Sequence, residues 1–401
     1  MKRRDLLRYL SVAPLGAGLT VSGMPVLAEE KESALKKDYI KELGLRSFIN
    51  AAGTYTAMTA SLMYPEVMEA INAVSKSYIM LDEVQDKVGE RIAQICKAEA
   101  ATVTAGCWSA MVLGMAGVLT GTDPKKIAAL PRLDGMKSEV IVQKSHNSGY
   151  VHALTNTGVR IIEIETREEL ENAIGESTAM LWFLNAHANL GKLTHQEWVA
   201  AGKNHAIPVM IDIAADVPPV ENLWRFNEMG FDLVCISGGK ALRGPQSAGI
   251  LMGRKDLIKA ARMSAPPRGG TIGRGMKVNK EEIVGMLAAL EKYISMDHDK
   301  EWTSWMNQVE HISAVAKKRA GVHTEIVVPP LANHTPTLQI QWEQEQLKLK
   351  PADLQLALRN GSPSIEVLSN EKGISLTVFM LRDGEYKMVA KRILEELNKS
   401  A

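Results

Sequence analysis

Between Phe48 and about Val278, short β-branched apolar runs alternate with helix-like stretches, and this alternation constrains the fold more than any other feature of the chain. The runs are Glu139–Val142, Val159–Ile164, Ala179–Leu184, Val209–Ile213, Leu233–Ile236 and Gly249–Met252. Several are almost continuously apolar, as strands buried on both faces are. Helix-like stretches such as Pro65–Ser77, Val84–Cys96, Arg167–Ile174 and Gln196–Asn204 lie between them. Strands alternating with helices predict an α/β fold with a parallel sheet. Lys280–Ile294 reads as a long connecting helix. Beyond it, Thr324–Val328, Thr337–Trp342, Ser364–Val367 and Ser375–Met380 read as strands, with Asp353–Arg359 and Tyr386–Leu397 as helices, which predicts a small C-terminal α+β domain. A chain of 401 residues has room for both domains.

The N-terminus is of a different kind. Lys2, Arg3, Arg4 and Arg8 stand against Asp5 alone, an apolar stretch runs from Tyr9 to about Val21, and Val26-Leu27-Ala28 suits cleavage before Glu29. The basic segment resembles the twin-arginine export motif. At about 13 residues and 1.5 Å per residue, the apolar stretch is too short to span a ~30 Å bilayer. Residues 1–28 are therefore expected to be a signal peptide for the twin-arginine export machinery, which makes the protein periplasmic with no stable membrane insertion. A basic amphipathic helix is the plainer alternative. Residues 29–47 are charged and read as a helical lead-in. The overall net charge of +1 offers no basic surface for nucleic acid. Cys96, Cys107 and Cys235 are too far apart for a zinc pattern, and no metal is expected.

Chemistry concentrates in Ser237-Gly238-Gly239-Lys240, where a buried strand runs into a glycine-rich loop. Ligands in open α/β sheets sit at the carboxyl ends of strands. A lysine there, among small residues, is poorly solvated and suited to act as a nucleophile, although a lone lysine is more often a surface one. Asp212 sits inside another apolar run, Val209–Ile213, one strand–helix–strand unit upstream. A buried carboxylate needs a cationic or hydrogen-bonding partner, and a protonated pyridine nitrogen is such a partner; a helix cap or structural ion pair is the alternative. Gly106-Cys107-Trp108-Ser109 forms a small-residue turn at a helix N-terminus, an arrangement that binds phosphate but also serves as a plain turn and N-cap. Ser237 can add a hydroxyl to such a phosphate. His146, after the run Glu139–Val142, can stack on a pyridine ring or simply be solvated in its loop.

These residues resemble the selenocysteine synthase-like family of pyridoxal-phosphate enzymes, in the branch typified by D-glucosaminate-6-phosphate ammonia-lyase. The matching pieces are Ile49–Thr56, the Gly106–Ser109 turn, Asp212-Ile213-Ala214-Ala215, Ser237–Lys240 with Gly244-Pro245-Gln246, and Arg274–Lys280. The resemblance covers about residue 45 to the C-terminus. It departs at Cys107-Trp108, where smaller residues are usual, and in the proline-rich Asp216–Pro219 loop. It implies fold-type I: a large domain (29–280) with a mostly parallel seven-stranded sheet, a linker helix and small domain (281–401), and a homodimer or higher homo-oligomer. It also implies that Lys240 carries pyridoxal 5'-phosphate covalently and that Asp212 protonates its ring nitrogen. The expected reaction is a β-elimination releasing ammonia and a 2-oxo acid from a small-molecule substrate. His187 is the candidate acid for the leaving hydroxyl, and Thr56, Asn189, Arg268 and Arg274 are candidate substrate contacts; each histidine or arginine is equally readable as structural. Export argues against phosphosugar and tRNA substrates.

Other reactions on the same lysine and aspartate remain open: transamination, racemisation, aldol cleavage and selenocysteine synthase-like transfer. A penicillin-binding reading of Ser237–Lys240 fails, because its third motif is absent after residue 240, Ser145-His146-Asn147 precedes it rather than follows, and Gly238-Gly239 resists the helix it needs. A periplasmic solute-binding protein would share the fold class and the export signal but needs no reactive lysine.

Overall fold

The computed structural model describes residues 37–399. The expected signal peptide and most of the lead-in lie outside the described residues. The chain divides into two units, residues 1–46 and 47–401. In the first, Tyr39–Glu42 form one helical turn capped by the Asp38 carboxylate, which accepts from the Lys41 N–H at 3.1 Å.

In the second unit, β1 (Ile49–Asn50) is followed by seven strands: β2 (Ala100–Thr104), β3 (Glu139–Gln143), β4 (Arg160–Ile164), β5 (Thr178–Leu184), β6 (Val209–Asp212), β7 (Leu233–Ser237) and β8 (Gly249–Gly253). These seven form one sheet in the order β2-β8-β7-β6-β5-β3-β4. The pairs from β4 to β7 are parallel, and β8 is antiparallel to both β7 and β2. The mostly parallel seven-stranded sheet expected of the family is thus present.

Side-chain alternation explains why the runs read as continuously apolar. Ile141, Leu181, Phe183, Ile211, Val234 and Ile250 face one core, packed by the helices Leu81–Ile95, His195–Asn204, Asn222–Met229 and Lys280–Ile294. Val140, Val142, Trp182, Met210, Cys235 and Leu251 face the other, packed by Gly106–Thr120 and Lys255–Met263. Both faces are covered, so both positions of the two-residue repeat are apolar through the middle of the central strands, with polar residues kept to β2 and the strand ends. The exception is β4, the edge strand, where Arg160 and Glu163 are exposed.

A second sheet, antiparallel in the order β12-β13-β10-β9, comprises β9 (Val322–Val327), β10 (Thr337–Trp342), β12 (Leu368–Ser369) and β13 (Gly373–Thr377). Its inner face packs on the helices His298–Ala316, Pro351–Arg359 and Glu385–Lys399. β11 (Ile365–Glu366) pairs with β1 in parallel, tying the start of this unit to the C-terminal part. The sequence reading placed a strand over Ser364–Val367; two of its residues form it. It did not anticipate Lys255–Met263 or the 19-residue helix His298–Ala316, although Trp305, Val309, Ile312 and Ala316 recur at helical spacing on its packed face.

Candidate active site

Leu184, Asp212 and Ser237 end three adjacent strands and line one cavity of about 710 Å³. Thr104, at the end of β2, leads into the helix Gly106–Thr120 at the same edge of the sheet. This placement follows from topology, since parallel strands deliver their carboxyl ends, and the loops after them, to one side. Ser375 and Thr377 of the small sheet, with Asn333 and Thr335 in the segment leading into β10, close the opposite wall. Two backbone bonds hold the walls together: the Asn333 N–H donates to the Ala215 carbonyl at 2.7 Å, and the Thr377 N–H to the Ala51 carbonyl at 2.9 Å.

Gly106, Cys107, Trp108, Asp212, Ser237, Lys240 and Thr56 all line this cavity. No side chain caps the Gly106–Thr120 helix, so its first N–H groups remain available to an anion. Gly106 opens it at φ +84°, a left-handed conformation that favours glycine. A Cβ on Gly249 would stand 2.5 Å from the Gly106 carbonyl carbon and 2.6 Å from the Cys107 nitrogen, so β8 and this turn meet backbone to backbone. Ser109 is buried, and its hydroxyl donates to the Ala105 carbonyl at 2.8 Å; it stabilises the turn and does not reach the cavity. Lys240 rides on a compact loop in which Gly238 donates to the Ala248 carbonyl, and Gly244 to the Gly238 carbonyl, both at 2.9 Å.

Asp212 is 2% exposed and accepts from the Ala214 N–H at 2.8 Å and the Cys107 thiol at 3.5 Å. Burial pushes its carboxyl up, against the pull of Ala214 and the Lys240 ammonium. The neighbouring Cys107 and Cys235 thiols are pushed far up by burial and by Asp212, and stay protonated. A buried acid without a matching ion pair, an uncapped helix terminus and a lysine on one cavity fit pyridoxal phosphate: Asp212 suits the ring nitrogen, the helix terminus and Ser237 suit the phosphate, and Lys240 suits the aldehyde carbon.

Besides Ser109, five expected residues lie elsewhere. His146 is fully buried behind the cavity wall; its Nδ1 accepts from the Leu184 N–H at 3.2 Å and its ring meets Phe183 edge-on at 4.4 Å. Burial lowers it to about 4, so it is a neutral core histidine and presents no face to the cavity. His187 donates from Nδ1 to the Ser145 carbonyl at 2.7 Å and does not line the cavity. Asn189 and Arg274 are exposed and off the cavity. Arg268 is engaged with Asp82 through both terminal nitrogens, at 2.8 and 3.2 Å.

The sequence reading missed Asp216, which lines the cavity at 3% exposure. Oδ1 accepts from the Ala332 N–H at 2.9 Å, and the Asn185 side chain also bonds to the carboxyl. Burial raises it to about 6, aided by Asp212 and opposed by Asn185, Ala332 and Lys240. The available signal was a second acid four residues after Asp212, at the end of the same apolar run.

Residues 150–341 match the family of L-seryl-tRNA selenium transferase. Over 369 residues the chain is 29% identical to the D-glucosaminate-6-phosphate ammonia lyase of Salmonella typhimurium, covering 88% of this chain and 96% of that one. It is 27% identical over 295 residues to a 5'-C-glycyluridine monooxygenase-decarboxylase of a Streptomyces species, covering 70% and 72%. A solved structure of D-glucosaminate-6-phosphate ammonia-lyase superposes with a TM-score of 0.80 at 26% identity, over 91% of this chain and all of that one. A serine palmitoyltransferase of S. paucimobilis with PLP bound shares the fold at a TM-score of 0.57 and 13% identity, over 89% of each chain. Over most of its length the chain is similar to selenocysteine synthase-like enzymes, and its fold is that of the fold-type I, pyridoxal-phosphate-dependent enzymes.

Proposed function

We propose that this protein is an ammonia-lyase for an amino-sugar acid that carries no phosphate, releasing ammonia and a 2-oxo acid. The observation that carries the reading is the likeness to D-glucosaminate-6-phosphate ammonia lyase over 96% of that enzyme, joined to a cavity large enough for cofactor and a sugar acid together. Thr54, Thr56, Asn333, Thr335, Ser375 and Thr377 line it, a set of hydroxyls and one amide suited to a polyol. Lys240 is the sole cationic side chain among the described residues lining it, and Lys240 is committed to the cofactor. This chain therefore supplies no cation for a second phosphate.

The bound cofactor supplies an electron sink for the pair left at Cα. Asp212 holds the ring nitrogen protonated, and Lys240 is the base at hand for the Cα proton. The helix terminus at Gly106 and the Ser237 hydroxyl fix the phosphate end, which sets where Cα stands relative to Lys240.

Residues 1–28 support export by the twin-arginine route to the periplasm, and residues 29–280 and 281–401 are read as the two domains. Tyr55, Leu62 and Met80, at 49%, 57% and 75% exposure, favour a homodimer or higher homo-oligomer. The test is to incubate cofactor-loaded protein with β-hydroxy amino acids and amino-sugar acids, including the phosphorylated substrate of the relative and its dephosphorylated counterpart. Ammonia and 2-oxo acid are expected from the unphosphorylated acid. No product from any compound overturns the lyase reading; product from the phosphorylated one alone overturns the substrate.

A further inference from the structure

A β-hydroxyl leaves poorly unless it is protonated, and His187, the histidine expected to do this, does not line the cavity. Asp212 is committed to the ring nitrogen and Lys240 to the Cα proton. Tyr55 and Tyr150 reach the cavity but are largely exposed. Asp216 is on the cavity, buried, and held in a fixed orientation.

Its support runs through two further side chains. Asn185 is 2% exposed and follows the end of β5. Its Oδ1 lies 2.7 Å from His195 Nε2. An amide oxygen only accepts, so His195 carries its proton on Nε2 and donates. That fixes the Asn185 amide with its NH2 directed away, as the group that reaches Asp216. His195 is boxed by Phe183 at 4.5 Å, Phe226 at 5.7 Å and Phe231 at 6.2 Å. Burial keeps it neutral, lowering it to about 4. The chain His195–Asn185–Asp216 leads from an aromatic core to the cavity wall. From the other side, the Ala332 N–H binds Oδ1. The charged groups facing the carboxyl are Asp212 and Lys240.

We propose that Asp216 is the general acid that protonates the departing β-hydroxyl, with Asn185 and His195 as its positioning residues; the inference rests on the ammonia-lyase reading. The Cα–H bond breaks with its proton going to Lys240. The Cβ–O bond then breaks with its electron pair on oxygen, and that oxygen takes the Asp216 proton and leaves as water. The pair left at Cα closes the Cα–Cβ double bond; Asp216 remains as carboxylate and is reprotonated from solvent, to which Lys240 gives up the Cα proton. Hydrolysis of the resulting enamine consumes one water and yields 2-oxo acid and ammonia, so water is neither gained nor lost overall. Because burial holds the carboxyl at about 6, the acid form is populated at mildly acidic to neutral pH.

The test compares Asp216→Asn with wild type as cofactor-loaded protein. Asp216→Asn is expected to load cofactor normally and still exchange the Cα proton for deuterium in D2O. It should form 2-oxo acid from the β-hydroxy substrate about 100-fold or more slowly, and the fall in wild-type kcat/KM with rising pH above about 6 should vanish. A β-chloro analogue needs no protonation, and on it the variant should come within about threefold of wild type. Infrared spectra of the cofactor-free protein should show a carboxyl band titrating near pH 6 that is missing in the variant. Wild-type-like elimination of the hydroxyl by Asp216→Asn overturns the inference, and so does an equal loss on the β-chloro analogue, which would make Asp216 merely structural. A wild-type protein that releases ammonia from neither substrate overturns the lyase reading itself.

Discussion

Replacing Gly249 by alanine tests whether backbone contact between β8 and the helix terminus at Gly106 sets cofactor affinity. The new Cβ would sit 2.5 Å from the Gly106 carbonyl carbon and 2.6 Å from the Cys107 nitrogen, where ordinary contact begins at 3.4 Å. Both neighbours are backbone, so no flexible side chain can yield, and β8 is pinned between β2 and β7. The turn must retreat by about 0.9 Å, enough to break a hydrogen bond from one of its N–H groups to a phosphate. A hydrogen bond to a charged group contributes about 1.5–3 kcal/mol, so the dissociation constant should rise roughly 10- to 150-fold. The assay is a titration of cofactor-free protein with pyridoxal phosphate, followed by visible absorption and by quenching of Trp108, which lines the cavity. Gly106→Ala serves as a milder companion, since its Cβ meets nothing closer than 3.6 Å and only the positive φ is strained. Gly175→Ala, with nothing within 4 Å, is the control. The expected order of loss is Gly249, Gly106, Gly175. Thermal melts verify that each variant is folded. A folded Gly249→Ala protein with wild-type affinity would refute the reasoning.

Lys240→Ala should abolish the borohydride-sensitive absorption of the bound cofactor while leaving phosphate-end binding measurable; persistence of that absorption would remove Lys240 from its role. Arg268→Ala should leave kcat/KM unchanged and cost about 1 kcal/mol or less of stability, since its partly exposed pair with Asp82 is structural; a rise in KM would return it to the substrate. His146 and His195 are each lowered to about 4 from 6.5. A depressed histidine stabilises the fold above its unfolded value and loses that contribution as pH falls from about 6.5 to 4, up to about 3 kcal/mol for each. His195→Gln should therefore flatten the acid side of the melting-temperature profile, and an unchanged slope would count against a neutral buried His195. Asp216 has the opposite sign. Its carboxyl is raised from 3.8 to about 6, so Asp216→Asn should gain up to about 3 kcal/mol over wild type at pH 8 and little at pH 4. A pH-independent difference in melting temperature would contradict that.

What was legible in the sequence was local. Strand runs such as Val209–Asp212 and Leu233–Ser237 are buried on both faces, so their composition alone marks them. Lys240, Asp212 and Gly106 follow strands directly, and topology then fixes their position. The misread residues depend on partners far along the chain. Arg268 looked available because Asp82, which engages it, is 186 residues away. His146 and His187 sit in short 3-10 turns that fold them back onto Leu184 and Ser145 rather than outward. Asn333, Thr335 and Thr377 reach the cavity only because the small sheet and the segment leading into β10 close over it, which no local pattern announces. Asp216 was in plain view, but its proline-rich surroundings read as a loop and its burial depends on Ala332.

The helix Gly106–Thr120 is buried along 12 of its 15 residues. Its terminus can tilt or translate only if both the sheet and the helix Lys255–Met263 repack, so the phosphate end of the site is as immobile as the core. The opposite wall presents short polar side chains on the segments around Thr54, Asn333 and Thr377, outside that helix and its packing. Mutational drift can thus alter which acid is accepted without disturbing how the cofactor is held, and new specificities in this lineage should arise by exchange of that wall alone.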